Sequence, residues 1–146
     1  MSTKMTVEER EQFLADVRVG VLSIADEGRG PLTVPVWYDY DKGGTLWILT
    51  GPESMKGKRL EKVERVSLCV QTEDAPYKYV SIEGPIIERS TADREAHSRP
   101  MAHRYLGPEI GDGYVAANEG NEDSLLIRVQ PERWLTVDYG KVMSLG

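Results

Sequence analysis

The stretch from Leu32 to Asp41 constrains this chain most, because it alternates without a lapse. Leu32, Val34, Val36, Tyr38 and Tyr40 fall on one side, and Thr33, Pro35 and Trp37 on the other. That is the period-two pattern of a half-buried strand. Asp41–Gly44 follows as a hairpin turn, with Gly43 and Gly44 available for positive φ. Thr45–Thr50 is apolar on both faces and reads as a fully buried strand. Five more segments read as strands. Arg18–Ala25 ends at the turn-forming Asp26–Gly30. Arg65–Thr72 keeps Val66, Leu68 and Val70 together, with Cys69 opposite as a small buried hydrophobe. Tyr77–Arg89 is interrupted at Gly84-Pro85, the mark of a bulge or barrel corner. Ser124–Gln130 and Arg133–Tyr139 complete the set, giving about seven strands.

Helices are few. Thr6 and Glu9 have capping-box spacing, with Phe13, Leu14 and Val17 on one side of the helix they open. A short helix is expected near Glu53–Glu64. Ser90 and Asp93 open a third, which Pro100 kinks and Leu106-Gly107-Pro108 ends; the chain then reads as loop, with at most a helical turn, to Asn118. Hairpin-connected strands with helices at the ends predict an antiparallel barrel in an α+β setting.

The 146 residues suit one domain, 1–146, with no linker or repeat. One cysteine excludes a disulfide framework and a Cys-based zinc site. Glu8, Glu9 and Glu11 stand where a signal peptide needs an apolar run, and no stretch approaches a membrane span, so a cytoplasmic protein with no membrane partner is expected. The net charge is −6, but it is unevenly spread. Lys56, Lys58, Arg59, Lys62 and Arg65 against Glu61 and Glu64 make residues 56–65 a +3 segment, and the other 136 residues −9. Such acidity argues against nucleic acid, whose phosphates need a broad basic face.

The +3 segment begins at a strand-to-helix turn, Thr50-Gly51-Pro52-Glu53-Ser54-Met55-Lys56-Gly57-Lys58. Cations in a first helical turn oppose the macrodipole, and Gly57 weakens a helix interior. An anion at this turn would resolve both: Ser54 caps and offers a hydroxyl, Lys56 and Lys58 supply charge, and Gly57 lets backbone approach closely. The alternative is a solvated, frayed helix start. Pro35 in the middle of its strand removes a ladder hydrogen bond, so a flat ligand on the Thr33, Pro35, Trp37 face could use the freed backbone groups; an ordinary edge strand is the alternative.

Ten of the eleven aromatics are Tyr or Trp. By alternation Tyr77, Tyr79 and Trp134 occupy non-core positions, as ligand platforms or plain surface aromatics. His97 and His103 are six apart, a spacing that does not share a helix face, so no metal site is expected. No nucleotide-binding or hydrolase motif is present.

Four stretches together resemble one family: VRVGVLSI at Val17–Ile24, GPLTVPVWYDY at Gly30–Tyr40, LWILTGPESMKGKRL at Leu46–Leu60 and YVSIEGP at Tyr79–Pro85. Arg104-Tyr105-Leu106-Gly107 and Glu132-Arg133-Trp134 also fit. The chain resembles the pyridoxamine 5′-phosphate oxidase-like split-barrel family, and within it the small flavin- and deazaflavin-dependent oxidoreductases. The resemblance implies an antiparallel split β-barrel of six to seven strands with two or three short helices. It also implies a homodimer with cofactor sites at the subunit interface. Phosphate would be held at Ser54, Met55 and Lys56, where Met55 replaces an expected arginine and Lys58 or Arg59 could compensate. Thr33, Val34, Pro35, Val36, Trp37, Leu49 and Thr50 would line the ring system, Tyr79 would reach a cofactor edge, and Trp134 would form a wall. The cofactor would be coenzyme F-420, favoured by branch likeness and by Arg59, Lys62 and Arg65 as partners for its anionic tail, or FMN. The implied activity is hydride transfer to a small conjugated substrate, with no catalytic residue nominated; a non-catalytic flavin, deazaflavin or haem carrier is the alternative.

Overall fold

The computed structural model describes residues 2–119 and 123–143. Eight strands form one curled antiparallel sheet: β1 Gly20–Ile24, β2 Leu32–Val36, β3 Asp39–Tyr40, β4 Leu46–Thr50, β5 Arg65–Gln71, β6 Lys78–Thr91, β7 Leu125–Val129 and β8 Arg133–Asp138. The strand order is β2-β1-β5-β6-β7-β4-β3, with β8 also on β6. This is an α+β split barrel, with one strand more than the sequence pattern predicts because the Leu32–Asp41 strand is broken in two.

Two strands serve both halves of the barrel. β6 pairs β5 and β8 along residues 78–85, then shifts register and pairs β7 from Ile86 onward. It runs through Gly84 and Pro85 without interruption, and the irregularity falls between Ile86 and Glu88; a Cβ at Gly84 would lie 1.8 Å from the Gln130 carbonyl oxygen. On the opposite side, β2 pairs β1 while its continuation β3 pairs β4. The chain crosses from one sheet edge to the other there, so the barrel is left open between β2 and β4.

Inside, the alternating residues do what their pattern requires. Val36, Tyr38, Tyr40, Val66, Leu68, Val70, Val80 and Ile82 are buried together, with Leu32 and Val34 packed against them. Burying each such side chain contributes roughly 1.5–3 kcal/mol. The helices are α1 Val7–Ala15, α2 Met55–Leu60, a π-helix at Arg94–Ser98, α3 Arg99–Ala117 and α4 Gly140–Met143. α1 starts at the predicted capping box, Thr6 with Glu9, and ends before Val17, which is 55% exposed and joins no helix face. α2 is half the predicted length. No helix among the described residues is long and apolar enough to cross a membrane.

α3 departs most from expectation. Pro100 sits in its first turn, where its missing N–H costs nothing, and no kink follows. The break comes at Gly107, at φ 81° and ψ 168°, and the predicted loop to Asn118 is a second helical arm, 108–117. Pro108 opens that arm. Gly111 lets it lie against the first, where a Cβ would stand 2.8 Å from the His103 ring and 3.0 Å from the Ala102 carbonyl carbon. Gly111 and Gly113 lower intrinsic helix propensity, so this arm exists because of what it packs on.

Candidate functional site

The opening between β2 and β4 is a cleft of about 740 Å³, within the usual range for a cofactor or ligand site. One lip carries Pro35, Val36 and Trp37; the other carries Leu49, Thr50 and Gly51; the π-helix and α3 roof it. The roof is fastened where the strand breaks. The Tyr38 N–H, with no sheet partner, donates to the Tyr105 hydroxyl at 3.0 Å, and that hydroxyl lies 2.7 Å from the Arg18 carbonyl and 2.9 Å from the Tyr38 carbonyl. Arg104 donates to the carbonyls of Tyr38, Ala15 and Asp16 at 2.9–3.1 Å and pairs with Asp39. Side chains of α3 thus replace the missing ladder bonds, and Trp37 is held flat on Tyr105, ring centroids 4.9 Å apart and planes within 5°.

The other end is polar. Thr50, 5% exposed, places its hydroxyl 3.1 Å from that of Ser54. Ser54 caps α2: its hydroxyl donates to the Gly51 carbonyl at 2.8 Å and accepts from the Gly57 N–H at 2.9 Å. Lys56 lines the cleft, half-buried, and no carboxylate among the described residues pairs with it. Burial alone pulls its ammonium below the ordinary lysine range. An uncompensated, partly desolvated cation beside two hydroxyls fits one small anionic group.

Seven of the thirteen predicted site residues meet in this cleft: Pro35, Val36, Trp37, Leu49, Thr50, Ser54 and Lys56. Six do not. Val34 points into the core, and Thr33 is exposed on the outer sheet face. Met55, 69% exposed, and Lys58 lie on the outer side of α2. Tyr79 stands on the outer face of β6, paired with Val137 across the ladder. Trp134 is not at a non-core position: it packs against the core, edge-on to Tyr40 at 6.0 Å, with the Arg10 guanidinium 4.4 Å from its ring. The apolar alternation of β8 is inverted because the chain start covers its inner face through polar bonds, Met5 N–H to Thr136 and Asp138 N–H to the Thr3 carbonyl.

Gly57 and the cations after it play other parts than their sequence positions suggest. Gly57 makes no room for a ligand, because a Cβ there would stand 2.1 Å from the chain's own Gly51 carbonyl. In a helix of six residues Lys58 and Arg59 belong to the last turn, where the macrodipole favours them. Arg59 is taken by Asp26 at 3.1 Å, and Arg65 by Glu83 at 3.1 Å and Glu132 at 2.8 Å, so neither stands free for a cofactor tail.

Sequence reasoning missed the roof: Ala92, Arg94, Ser98, Met101, Tyr114 and Asn118 among its residues. Asp93 was the available signal. It caps the π-helix through the Ala96 N–H, and its own N–H donates to His97 Nδ1 at 2.8 Å. His97 turns edge-on to Trp47, and no group of three or more metal-ligating side chains occurs among the described residues.

Solved structures share this architecture. A conserved hypothetical protein from Mycobacterium tuberculosis superposes with a TM-score of 0.79 at 24% identity, covering 99% of this chain and 94% of that one. An F-420 reductase gives 0.70 at 20% identity, over 86% and 94%. A FAD-binding protein from Mesorhizobium loti gives 0.62 at 20% identity, over 90% and 94%. Among curated proteins no significant match is found. The pattern of the pyridoxamine 5′-phosphate oxidase family matches residues 6–138, nearly the whole described chain, and the chain belongs to that family.

Proposed function

We propose that this protein is a cytoplasmic oxidoreductase that binds coenzyme F-420 or FMN in the cleft and passes hydride to a small conjugated substrate. The observation that carries the reading is Lys56, a half-buried cation with no carboxylate partner among the described residues, lining with Thr50 and Ser54 a cleft that also presents the apolar Val36, Trp37, Leu49 and Met101, with Asp93, Arg94 and Glu95 on the π-helix side. A phosphate would supply the missing counter-charge, and the apolar walls suit a flat ring system. When bound, such a cofactor supplies the hydride chemistry. Lys56 would pair with its phosphate near Thr50 and Ser54, Pro35 and Trp37 would border its ring, and the π-helix and α3 would cover it.

F-420 is favoured over FMN by the family branch and by the likeness to an F-420 reductase; Arg59 and Arg65, paired with acids, add nothing to that preference. The reading also includes a second copy of the chain. Pro35, Val21, Cys69, Ser81 and Leu135 lie in one row across the outer face of β2, β1, β5, β6 and β8. Val21 and Leu135 are 39% and 60% exposed there. Since Pro35 belongs both to this row and to the cleft, a partner on the face would border the site, with Thr33 and Tyr79 at the contact. A non-catalytic carrier is the second reading, favoured by Met55 standing where the family resemblance implies an arginine. Fluorescence titration with FMN and F-420 tests the main reading: micromolar binding of one supports it, and no binding of either at about 100 µM, a hundredfold weaker, refutes it. Reduction of an enone by the reduced complex separates enzyme from carrier.

A further inference from the structure

We propose that the Tyr114 hydroxyl is the proton donor to the acceptor reduced in this cleft. The inference rests on the hydride-transfer reading above and names a group of this chain that completes it. Reducing a C=C bond conjugated to a carbonyl takes one hydride and one proton. The hydride forms a new C–H bond at the β-carbon and the C=C π bond breaks toward the carbonyl. The Tyr114 O–H bond then breaks, its proton going to the α-carbon, and water reprotonates the tyrosinate. The hydride donor is the reduced deazaflavin or flavin, which leaves oxidised, so electrons and protons balance.

The choice of Tyr114 follows from elimination among the groups that line the cleft. Arginine does not release a proton in proteins, and serine is a far weaker acid than a phenol. Glu95 is held as carboxylate by Arg99, which donates to both its oxygens. The Asp93 carboxylate accepts the Ala96 N–H. Lys56 is committed to the phosphate in the reading above. Among the tyrosines, the Tyr38 hydroxyl donates to the Leu14 carbonyl, Tyr105 serves the strand break, and Tyr40 accepts the Gly43 N–H. Tyr114 alone of the tyrosines lines the cleft, and its hydroxyl has no hydrogen-bond partner among the described residues. Its side chain is 48% exposed, which gives the proton a route to solvent. Its ring tilts over Trp37 with centroids 5.7 Å apart, so a flat acceptor entering beside Trp37 meets the phenol. The arm that carries it is fixed by the Gly107 bend and by Asp112, which accepts from Arg99 at 2.7 Å and lies 2.6 Å from His103.

The test compares the full-length protein with Tyr114→Phe and Tyr114→Trp, each loaded with whichever of F-420 or FMN binds. Single-turnover reduction of 2-methylcyclohex-2-enone in D2O is followed for rate and for the configuration at C2. The wild type is expected to deliver deuterium to one face of C2. Both variants should react about 100-fold more slowly, the usual scale for a lost general acid, and give mixed C2 configurations, with cofactor Kd unchanged within twofold. Independently of turnover, adding 2-methylcyclohex-2-enone to the oxidised complex should shift the ultraviolet absorbance of the Tyr114 phenol, a tyrosine difference band that is absent from both variants; a wild type without that band overturns the contact. Variants that match the wild type in rate and C2 configuration overturn the role of Tyr114 alone. A wild type that binds cofactor but reduces no enone overturns the hydride-transfer reading together with it.

Discussion

The two ends of the cleft are built on different principles. At the anion end, Thr50, Gly51, Ser54 and Gly57 bond to one another within the short stretch 50–57. At the roofed end, Tyr105 and Arg104 reach back 66 to 89 residues to Arg18, Tyr38 and Ala15. The first can form as soon as its own turn forms. The second exists only when the barrel has brought distant strands together, and it holds the part of the site that covers a ligand. Lesions should therefore differ: at the anion end they should act on binding with little effect on folding, except where the chain touches itself, and at the roof they should act on stability first.

The largest expected effect breaks the local end at its own contact. Gly57→Ala places a methyl against the Gly51 backbone, which cannot swing aside as a side chain would. A loss of about 3 kcal/mol is expected, the upper range for overpacking, measured by urea denaturation; a change under about 0.5 kcal/mol, the scale of an innocuous surface substitution, would show that the turn is looser than described. Tyr105→Phe should follow at about 2 kcal/mol, because the Tyr38 N–H loses its acceptor in a part-buried place. The same variant should loosen the roof, seen as faster hydrogen exchange in 99–117 than in β4.

Lys56→Ala should leave stability nearly unchanged and weaken cofactor binding about tenfold, or about 1.4 kcal/mol. Lys62→Ala, at an exposed position just past the end of α2, should change it less than twofold; equal effects would move the phosphate elsewhere. The pH dependence has a definite sign. Burial lowers the Lys56 pKa in the empty protein, so anion affinity is full at neutral pH and falls as pH rises through a range below the ordinary lysine value. Lys56→Ala should flatten that slope. Without ligand the same depression makes the unfolded chain the stronger proton binder, so stability rises with pH over that range. Met55→Arg tests whether the arginine that the family resemblance implies matters here: from its outward position on α2 it should change binding less than twofold. Asp112→Asn should matter least: the pairs it breaks are exposed, worth about 0–1 kcal/mol.

Legibility followed the same division. The strands of the barrel could be read because a period-two pattern commits a face to the core wherever one side is buried. Ser54 and Lys56 could be read because a cap and a cation act within one turn. Trp134 was misplaced because its strand is covered by the chain start through polar bonds, which invert the usual apolar signal. The 108–117 arm was missed because Gly111 and Gly113 oppose a helix locally and only packing on Ala102 and His103 restores it. Tyr114 rides on that arm, so nothing in its own neighbourhood of the chain places it at the cleft.

By itself the sequence determined the antiparallel barrel, the hairpin at Asp41–Gly44, the capped start of α1 and the polar turn that carries Lys56. Each of these rests on alternation or on bonds between near neighbours. Only the tertiary structure decided that the Leu32–Asp41 strand breaks at Trp37, that α3 closes over the break, and that Arg59 and Arg65 are neutralised by distant acids. Those outcomes depend on groups far apart in sequence, whose energies appear only after the intervening chain has been ordered.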